Sequence, residues 1–319
     1  MTIELASTRA VEKPWGRTDL QPWSDAGGAN CKIGEIWYER RDPAAPEASL
    51  LLKLLFTLEP LSVQVHPGDV FAHSIGEARG KSEAWYVLSA EPGARIALGL
   101  DRRLTSEQLR EAIADGSIAK RIAWRQVACG DVVDVPAGSI HAIGAGLVIA
   151  EIQQRSDTTF RLFDYGRSRA LHIEQAVAVA DAGLAPAGPF PKTLGSGRTL
   201  LVSSSHFILE KIDALPHSNW SIGAQRETWL LVLSGHARVG LLNVARGEAV
   251  FLEDDETTLQ AGPIGMQALI AYEASRPDMM MLRLISGSLS DSAGVATPPV
   301  AALSAVSQLL SRSALEVRR

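Results

Sequence analysis

The stretch LSVQVHPGD, residues 61–69, alternates as a strand does. Val63 and Val65 fall on one face, and Ser62, Gln64 and His66 on the other. Pro67, Gly68 and Asp69 end it. A second stretch, GDVVDVPAGSIHAIG (residues 130–144), spaces Gly130, Pro136, Gly138 and His141 as G-x5-P-x-G-x2-H. Its glycines and proline suit strand ends and a tight turn that delivers His141 to the start of the next strand. Amide and imidazole are lone-pair donors, fit either for buried hydrogen bonds or for ligating an ion. Taken singly, His66 before a proline reads as a turn histidine and Gln64 as a hydrogen-bonded core amide. Only a scaffold that brings both stretches together makes them a site.

The elements that must do so read as short strands with Gly and Pro punctuation, the pattern of an all-β sandwich or barrel. A first set is expected at 50–57, 61–66, 83–89, 95–99, 132–135, 147–153 and 159–164. A second runs through 200–203, 206–212, 228–233, 236–241, 248–252, 267–272 and 280–285. A helical insertion near 101–125 interrupts the first set. In LTSEQLREAIADG, Thr105 with Gln108 forms a capping box, Leu104, Leu109 and Ile113 recur near helical spacing, and Gly116 suits the C-terminus. A second short helix is expected around 117–125, and a helical turn or two at 171–181. The expected organisation is a barrel over 1–182, a Gly/Pro-rich linker at 183–198, a second barrel over 199–287, and a Ser/Ala-rich tail at 288–319 with a short helix at 300–316.

The 319 residues suit two domains. Apolar residues make up 46 % and charged residues 21 %, ordinary values for a globular chain. A net charge of −5 without basic runs excludes a long-range pull on nucleic acid or anionic lipid. The N-terminal residues carry no apolar secretory segment, and no apolar run reaches membrane-spanning length; SLLLKLLF has Lys53 in its middle. Cys31 and Cys129 form no ligand or redox motif and read as reduced thiols. A cytoplasmic chain acting on a small molecule, with no nucleic-acid or membrane partner, is expected.

The spacing around His141 resembles the second motif of the cupin superfamily, a small β-barrel with a metal inside. The first motif then falls on Gln64, His66 and, after a loop, Glu83 in GKSEAWYVL. The resemblance implies that Gln64, His66, Glu83 and His141 are metal ligands projecting inward from neighbouring strands. Two imidazoles, one carboxylate and one neutral amide around a dication leave an electrophilic centre with room for water or substrate.

LSVQVHP, GKSEAWYVL, PAGSIHAIGAG and EIQQRSDTTFRLFDYGR occur in that order, and together they resemble the type I phosphomannose isomerases (mannose-6-phosphate isomerases) in their short bacterial form. The resemblance is specific over residues 50–167, weaker at EKPWG and in the second strand set, and does not cover the last 30 or so residues. It implies two cupin (jelly-roll) barrels, the second without metal, one Zn2+ per chain, and a sugar phosphate as substrate. Arg161 matches the family's catalytic arginine. Glu151 matches an acidic residue upstream of it. Lys53 and Lys81 match pocket lysines, Ser62 a serine beside the ligand strand, and Trp15 a tryptophan near the pocket mouth. Arg167 stands where the family offers a basic residue for the substrate phosphate.

Aldose–ketose isomerisation moves a proton between adjacent carbons through an enediolate, whose charge a dication stabilises. Arg161, always protonated, suits charge stabilisation better than base chemistry. Glu151 is the natural proton carrier, with Lys81 or a metal-bound water as rivals. Arg167, Lys53 and Lys81 are cations available to a phosphate. The bland alternative for Arg161 is an ion pair with Asp164. The rival functions are a non-haem Fe(II) cupin oxygenase, since two histidines and a carboxylate also suit iron, and a non-catalytic sugar-phosphate-binding cupin. Arg17 departs from the family, where many relatives carry a second glycine after WG, and so bears on the pocket rim. Zinc, manganese, cobalt and iron all accept the ligand set.

Overall fold

The computed structural model describes residues 2–28, 31–185 and 188–287. The tail expected at 288–319, with its helix at 300–316, lies outside the described residues.

Strands dominate. In chain order they are β1 (Thr2–Leu5), β2 (Ser7–Arg17), β3 (Ile33–Glu39), β4 (Leu50–Thr57), β5 (Val63–Val65), β6 (Glu83–Ala90), β7 (Arg95–Leu100), β8 (Ile122–Gln126), β9 (Val132–Val135), β10 (His141–Ile143), β11 (Leu147–Gln154) and β12 (Phe160–Phe163). After these come β13 (Lys192–Gly195), β14 (Arg198–Ser203), β15 (Ile208–Ala214), β16 (Asn219–Ala224), β17 (Thr228–Val239), β18 (Leu242–Ala245), β19 (Ala249–Glu253), β20 (Asp255–Tyr272) and β21 (Leu282–Ser286). Three short helices, α1 (Asp69–Ser74), α2 (Ser106–Ala114) and α3 (Ile173–Val179), lie among the first set.

Two antiparallel sheets make the first barrel. One runs β2-β3-β4-β11-β6-β9 and the other β12-β5-β10-β7-β8. Trp15, Leu55, Trp85, Val87, Ile96 and Ile149 fill part of the space between them. The outer face of the smaller sheet carries Val63, Val65, Ala142, Phe160 and Leu162, which are sealed by Leu109, Ile113 and Ala176 of α2 and α3. The capping box places both expected bonds, Thr105 Oγ1 accepting from Gln108 N and Gln108 Oε1 from Thr105 N. Gly116 follows in a left-handed conformation, where a side chain would be strained.

The outer face of the larger sheet carries Leu50, Leu52, Leu54, Phe56, Ala150 and Ile152. It packs on Phe207, Leu209, Trp229, Leu231 and Phe251 of the second barrel, whose interior is a separate apolar core. Every residue of β4 is therefore buried. LLLKLLFT reads as a continuous apolar run because one face meets the second barrel and the other faces inward. Lys53 stands on the inward face with Leu55.

The structure differs from the sequence reading in several places. Thr2–Leu5, counted with the first barrel, pairs with β19 of the second. Lys192–Gly195, inside the expected linker, pairs with β14, and Leu184, at its start, still bridges to Gly99 of the first barrel. The helix expected at 117–125 shrinks to one 3-10 turn, Ser117–Lys120, because Ile122–Gln126 is recruited by β7. The two strands expected at 228–233 and 236–241 are one, β17, bulged near Gly235. A Cβ at Gly235 would meet the Gly265 carbonyl oxygen at 2.1 Å, and its φ is +72°, so only glycine lets the strand run through. Strands β2, β3, β16 and β18, the first part of β20 and helix α1 went unread.

The seam between the barrels makes one testable demand. Trp229 is 1 % exposed, and its indole N–H donates to Glu227 Oε1 at 3.0 Å. Trp229→Ala should cost about 3–5 kcal/mol. Far-UV circular dichroism in a urea titration checks it; a midpoint unchanged from wild type would refute the seam's role.

Candidate active site

Register explains how distant residues meet. In the smaller sheet His141 and Arg161 both stand opposite Gln64, on β10 and β12 on either side of β5. In the larger sheet Lys53, Glu151 and Trp85 form one inward row across β4, β11 and β6, and Glu83 opposite Gln153 begins the next. The two inward faces meet across the barrel. His66, Glu83 and His141 converge there, each about 1 % exposed, with donor atoms all within 4.8 Å of one another.

His66 Nε2 lies 3.6 Å from Glu83 Oε2, and His141 Nε2 lies 3.4 Å from Glu83 Oε1. The opposite ring nitrogens are tied to backbone carbonyls, His66 Nδ1 to Thr158 O at 3.0 Å and His141 Nδ1 to Ser139 O at 2.9 Å. An Nδ1–H donating to each carbonyl leaves both Nε2 lone pairs aimed at the centre. Neither Glu83 oxygen has a hydrogen-bond partner among the described residues. A buried carboxylate beside two inward lone pairs is the donor set a divalent cation needs. The Gln64 amide sits 3.2 Å from His141 Nε2, its oxygen accepting from Ser62 Oγ at 3.1 Å, and rotation about its last bond presents the oxygen to the same centre. These residues fit a metal ion.

Burial keeps both imidazoles neutral. It drives the His66 pKa well below its ordinary value, with Lys81 and His141 adding to the effect, and pushes His141 down to about 4. Lys81 approaches the same centre, its ammonium 3.0 Å from Glu83 Oε2 and 3.1 Å from His66 Nε2. Burial opposes that charge, but Glu83, Glu151 and Asp157 together outweigh it and keep the ammonium protonated.

Above the cluster opens a cleft of about 200 Å3, lined among others by Trp15, Lys53, Ser62, Gln64, Lys81, Glu151 and Arg161. Glu151 is buried, and its Oε2 accepts from Trp85 Nε1 at 3.0 Å. Burial, then the nearby Glu83 charge, raises its pKa. Lys53 is enclosed by carboxylates, 3.6 Å from Glu151, 3.8 Å from Asp157 and 3.9 Å from Glu35, with its ammonium over the Trp37 ring. Its charge is already answered by protein. Arg161 donates from Nη1 to Ala170 O at 2.9 Å, and its buried Nε has no partner among the described residues. Its backbone N–H donates to His172 Nδ1, giving that histidine a structural role.

Two expectations change. Arg167 does not line the cleft. Its guanidinium donates to Pro60 O at 2.7 Å and to Asp164 Oδ1 at 3.1 Å, and the chain turns it outward over Tyr165. Arg169, two residues on, lines the cleft instead, held by Asp164 at 2.6 and 2.7 Å. The Arg161–Asp164 ion pair is likewise absent among the described residues, because Arg167 and Arg169 take up Asp164. Arg17 reaches Glu91 and the Thr57 carbonyl rather than the cleft. Lys13, Glu35, Asp157 and Thr159 also line the cleft and were not read from sequence. Alternation in EKPWG could have found Lys13, which shares a face with Trp15.

Two β-barrels, one holding a buried His–Glu–His cluster beneath a polar cleft, define a cupin-like enzyme. No family model matches the chain. Over 227 residues it is 38 % identical to mannose-6-phosphate isomerase of Streptococcus mutans serotype c, covering 65 % of this chain and 69 % of that one. It is 39 % identical over 166 residues to a mannose-6-phosphate isomerase of Bacillus subtilis, covering 48 % and 52 %. The crystal structure of the mannose 6-phosphate isomerase from Bacillus subtilis superposes with a TM-score of 0.73 at 23 % identity, over 85 % of this chain and 100 % of that one, a likeness of fold. The chain belongs to the mannose-6-phosphate isomerase family.

The lowered histidine pKa values carry a sign. Between the unfolded value near 6.5 and about 4 for folded His141, the unfolded chain binds imidazole protons that the native chain refuses, so stability falls as pH falls. Chelator-treated protein should lose melting temperature from pH 7 to pH 5, and His141→Gln should lose less. Equal losses in the two proteins would refute the assignment.

Proposed function

We propose that this chain interconverts D-mannose 6-phosphate and D-fructose 6-phosphate, with Gln64, His66, Glu83 and His141 holding one Zn2+. The observation that carries the reading is the convergence of the buried Glu83 carboxylate, faced by the Lys81 ammonium, with two inward imidazole nitrogens at the floor of a cation-rich cleft. Zinc suits two neutral imidazoles with a carboxylate and an amide oxygen. When bound, the ion supplies Lewis-acid stabilisation of negative charge on the sugar oxygens.

The protein's own groups do the rest. In the forward direction a proton leaves C2 of the aldose and returns to C1, while the hydroxyl proton shifts between O2 and O1. Glu151 is the carrier in this reading, since its raised pKa and its place on the cleft wall suit a group that takes and returns a proton. Lys53, 3.6 Å away, steadies its charged form. Lys81 is held protonated beside the ligands, which disfavours it as the base and suits it to charge stabilisation. Arg161, opposite Gln64 in register, stabilises the enediolate. Ser62 orients the Gln64 amide, and Trp15 packs as an apolar wall. Arg169 and Lys13, the more exposed cations of the cleft, are the groups for the phosphate, the role first given to Arg167. No helix among the described residues is long and apolar enough to cross a membrane. Free Cys31 and Cys129 suit the cytoplasm.

A coupled assay for fructose 6-phosphate formed from mannose 6-phosphate should lose its signal with chelator and regain it with zinc. Persistent turnover in fully chelated protein would exclude the metal from the reaction. His141→Ala should lose bound zinc and activity together. Arg161→Ala should keep zinc by atomic absorption and lose about 10²–10³ in kcat; full activity in that variant would refute the role of Arg161.

A further inference from the structure

A second, larger groove of about 520 Å3 lies where the two barrels meet. The first barrel contributes Ser49, Arg79 and Gln154, and the second contributes Ser205, His206 and Arg226, among others. Its size is that of a small-metabolite site. Arg79 donates one N–H to Ser49 Oγ at 3.1 Å, and Arg226 donates one to the Glu273 carbonyl at 3.2 Å. Neither guanidinium has a carboxylate within ion-pair distance among the described residues, so most of their fork-shaped donors are free for an anion. His206 adds a ring nitrogen 3.9 Å from Asp69 Oδ2. Serine hydroxyls and the Gln154 and Gln225 amides complete a polar wall. Of the fixed charges lining the groove two are guanidiniums and one, Glu273, is a carboxylate. Glu227, outside that lining, accepts from the Ser49 and Leu50 N–H groups and the Trp229 indole, and Asp69 accepts from Gly80 N and Gln154 Nε2 on Oδ1 while its Oδ2 faces His206.

We propose that this groove is a second binding site, for a small phosphorylated anion held by Arg79, Arg226 and His206. It shares a wall with the active site. The segment 79–83 carries Arg79, which lines the groove, and Lys81 and Glu83, which stand at the catalytic centre. Between them the Ser82 N–H donates to Gln154 Oε1 at 3.0 Å, and Gln154 lines the groove.

The test uses the zinc-loaded full chain and inorganic phosphate as probe, followed by titration calorimetry. The Arg79→Gln/Arg226→Gln double variant should weaken the groove's phosphate binding at least about tenfold, whereas Arg169→Gln, which removes a phosphate-binding group of the catalytic cleft, should leave it intact. Ser205→Asp, which places a carboxylate on an exposed position of the same wall, should weaken it similarly and serves if the double variant fails to fold by circular dichroism. Wild-type phosphate affinity in both groove variants, loss of all phosphate binding in Arg169→Gln, or no binding to wild-type protein at millimolar phosphate would overturn the proposal. None of these readings depends on turnover, so they stand apart from the isomerase reading.

Discussion

The first barrel can hold Lys53, Glu83 and Glu151 in its interior because the sheet they stand on is covered from behind by the second barrel. Leu50, Leu52, Leu54 and Phe56 alternate with Leu51, Lys53 and Leu55 along one strand. Without the Trp229–Phe251–Leu209 surface, the apolar half of that alternation would face water. The second barrel's interior is apolar in turn. It contributes a packing surface rather than ligands to the catalytic cleft.

Buried charge is then made tolerable by mutual compensation. Glu151, Asp157 and Glu35 surround Lys53, and Glu83 faces Lys81. Most cations of the cleft thus have a carboxylate nearby, and isolated buried charge is avoided. Glu83 is different: among the described residues the Lys81 ammonium is the one polar contact of its carboxylate besides two imidazoles, and both of these are locked into the tautomer that aims a lone pair inward. Arg161 departs from the same rule, with a buried Nε that no described residue satisfies. Gln153, opposite Glu83 in register, likewise keeps a buried side-chain oxygen without a partner among the described residues, so these atoms gather at the metal-ligand row and at Arg161 on the cleft wall. A stability-optimised core would not leave them so.

Much of the centre was legible because it is local in character. The alternation of SVQVH puts Gln64 and His66 on one face whatever the fold, and the turn chemistry of VPAGSIH fixes where His141 enters its strand. The helix at Ser106–Ala114 was readable for the same reason, since a capping box is a contact over three residues. Strands β2, β3 and β16 escaped because their solvent-facing and buried positions follow from sheet partners distant in sequence. The placing of Arg167 escaped for a kindred reason: two arginines two residues apart are equivalent by type, and only the conformation of the chain around Asp164 turns one out and the other in.

By itself, then, the sequence determined the all-β character, the paired polar stretches and the order in which the ligand-type residues arrive, because period-two alternation and turn chemistry act over a few residues. The tertiary structure alone decided which charges compensate one another, that Thr2–Leu5 joins the far barrel, that Arg169 rather than Arg167 borders the cleft, and that Arg79 and Arg226 face one groove. Those outcomes depend on strand register and on the packing of one barrel against another, and contacts across such separations leave no period in the chain to read.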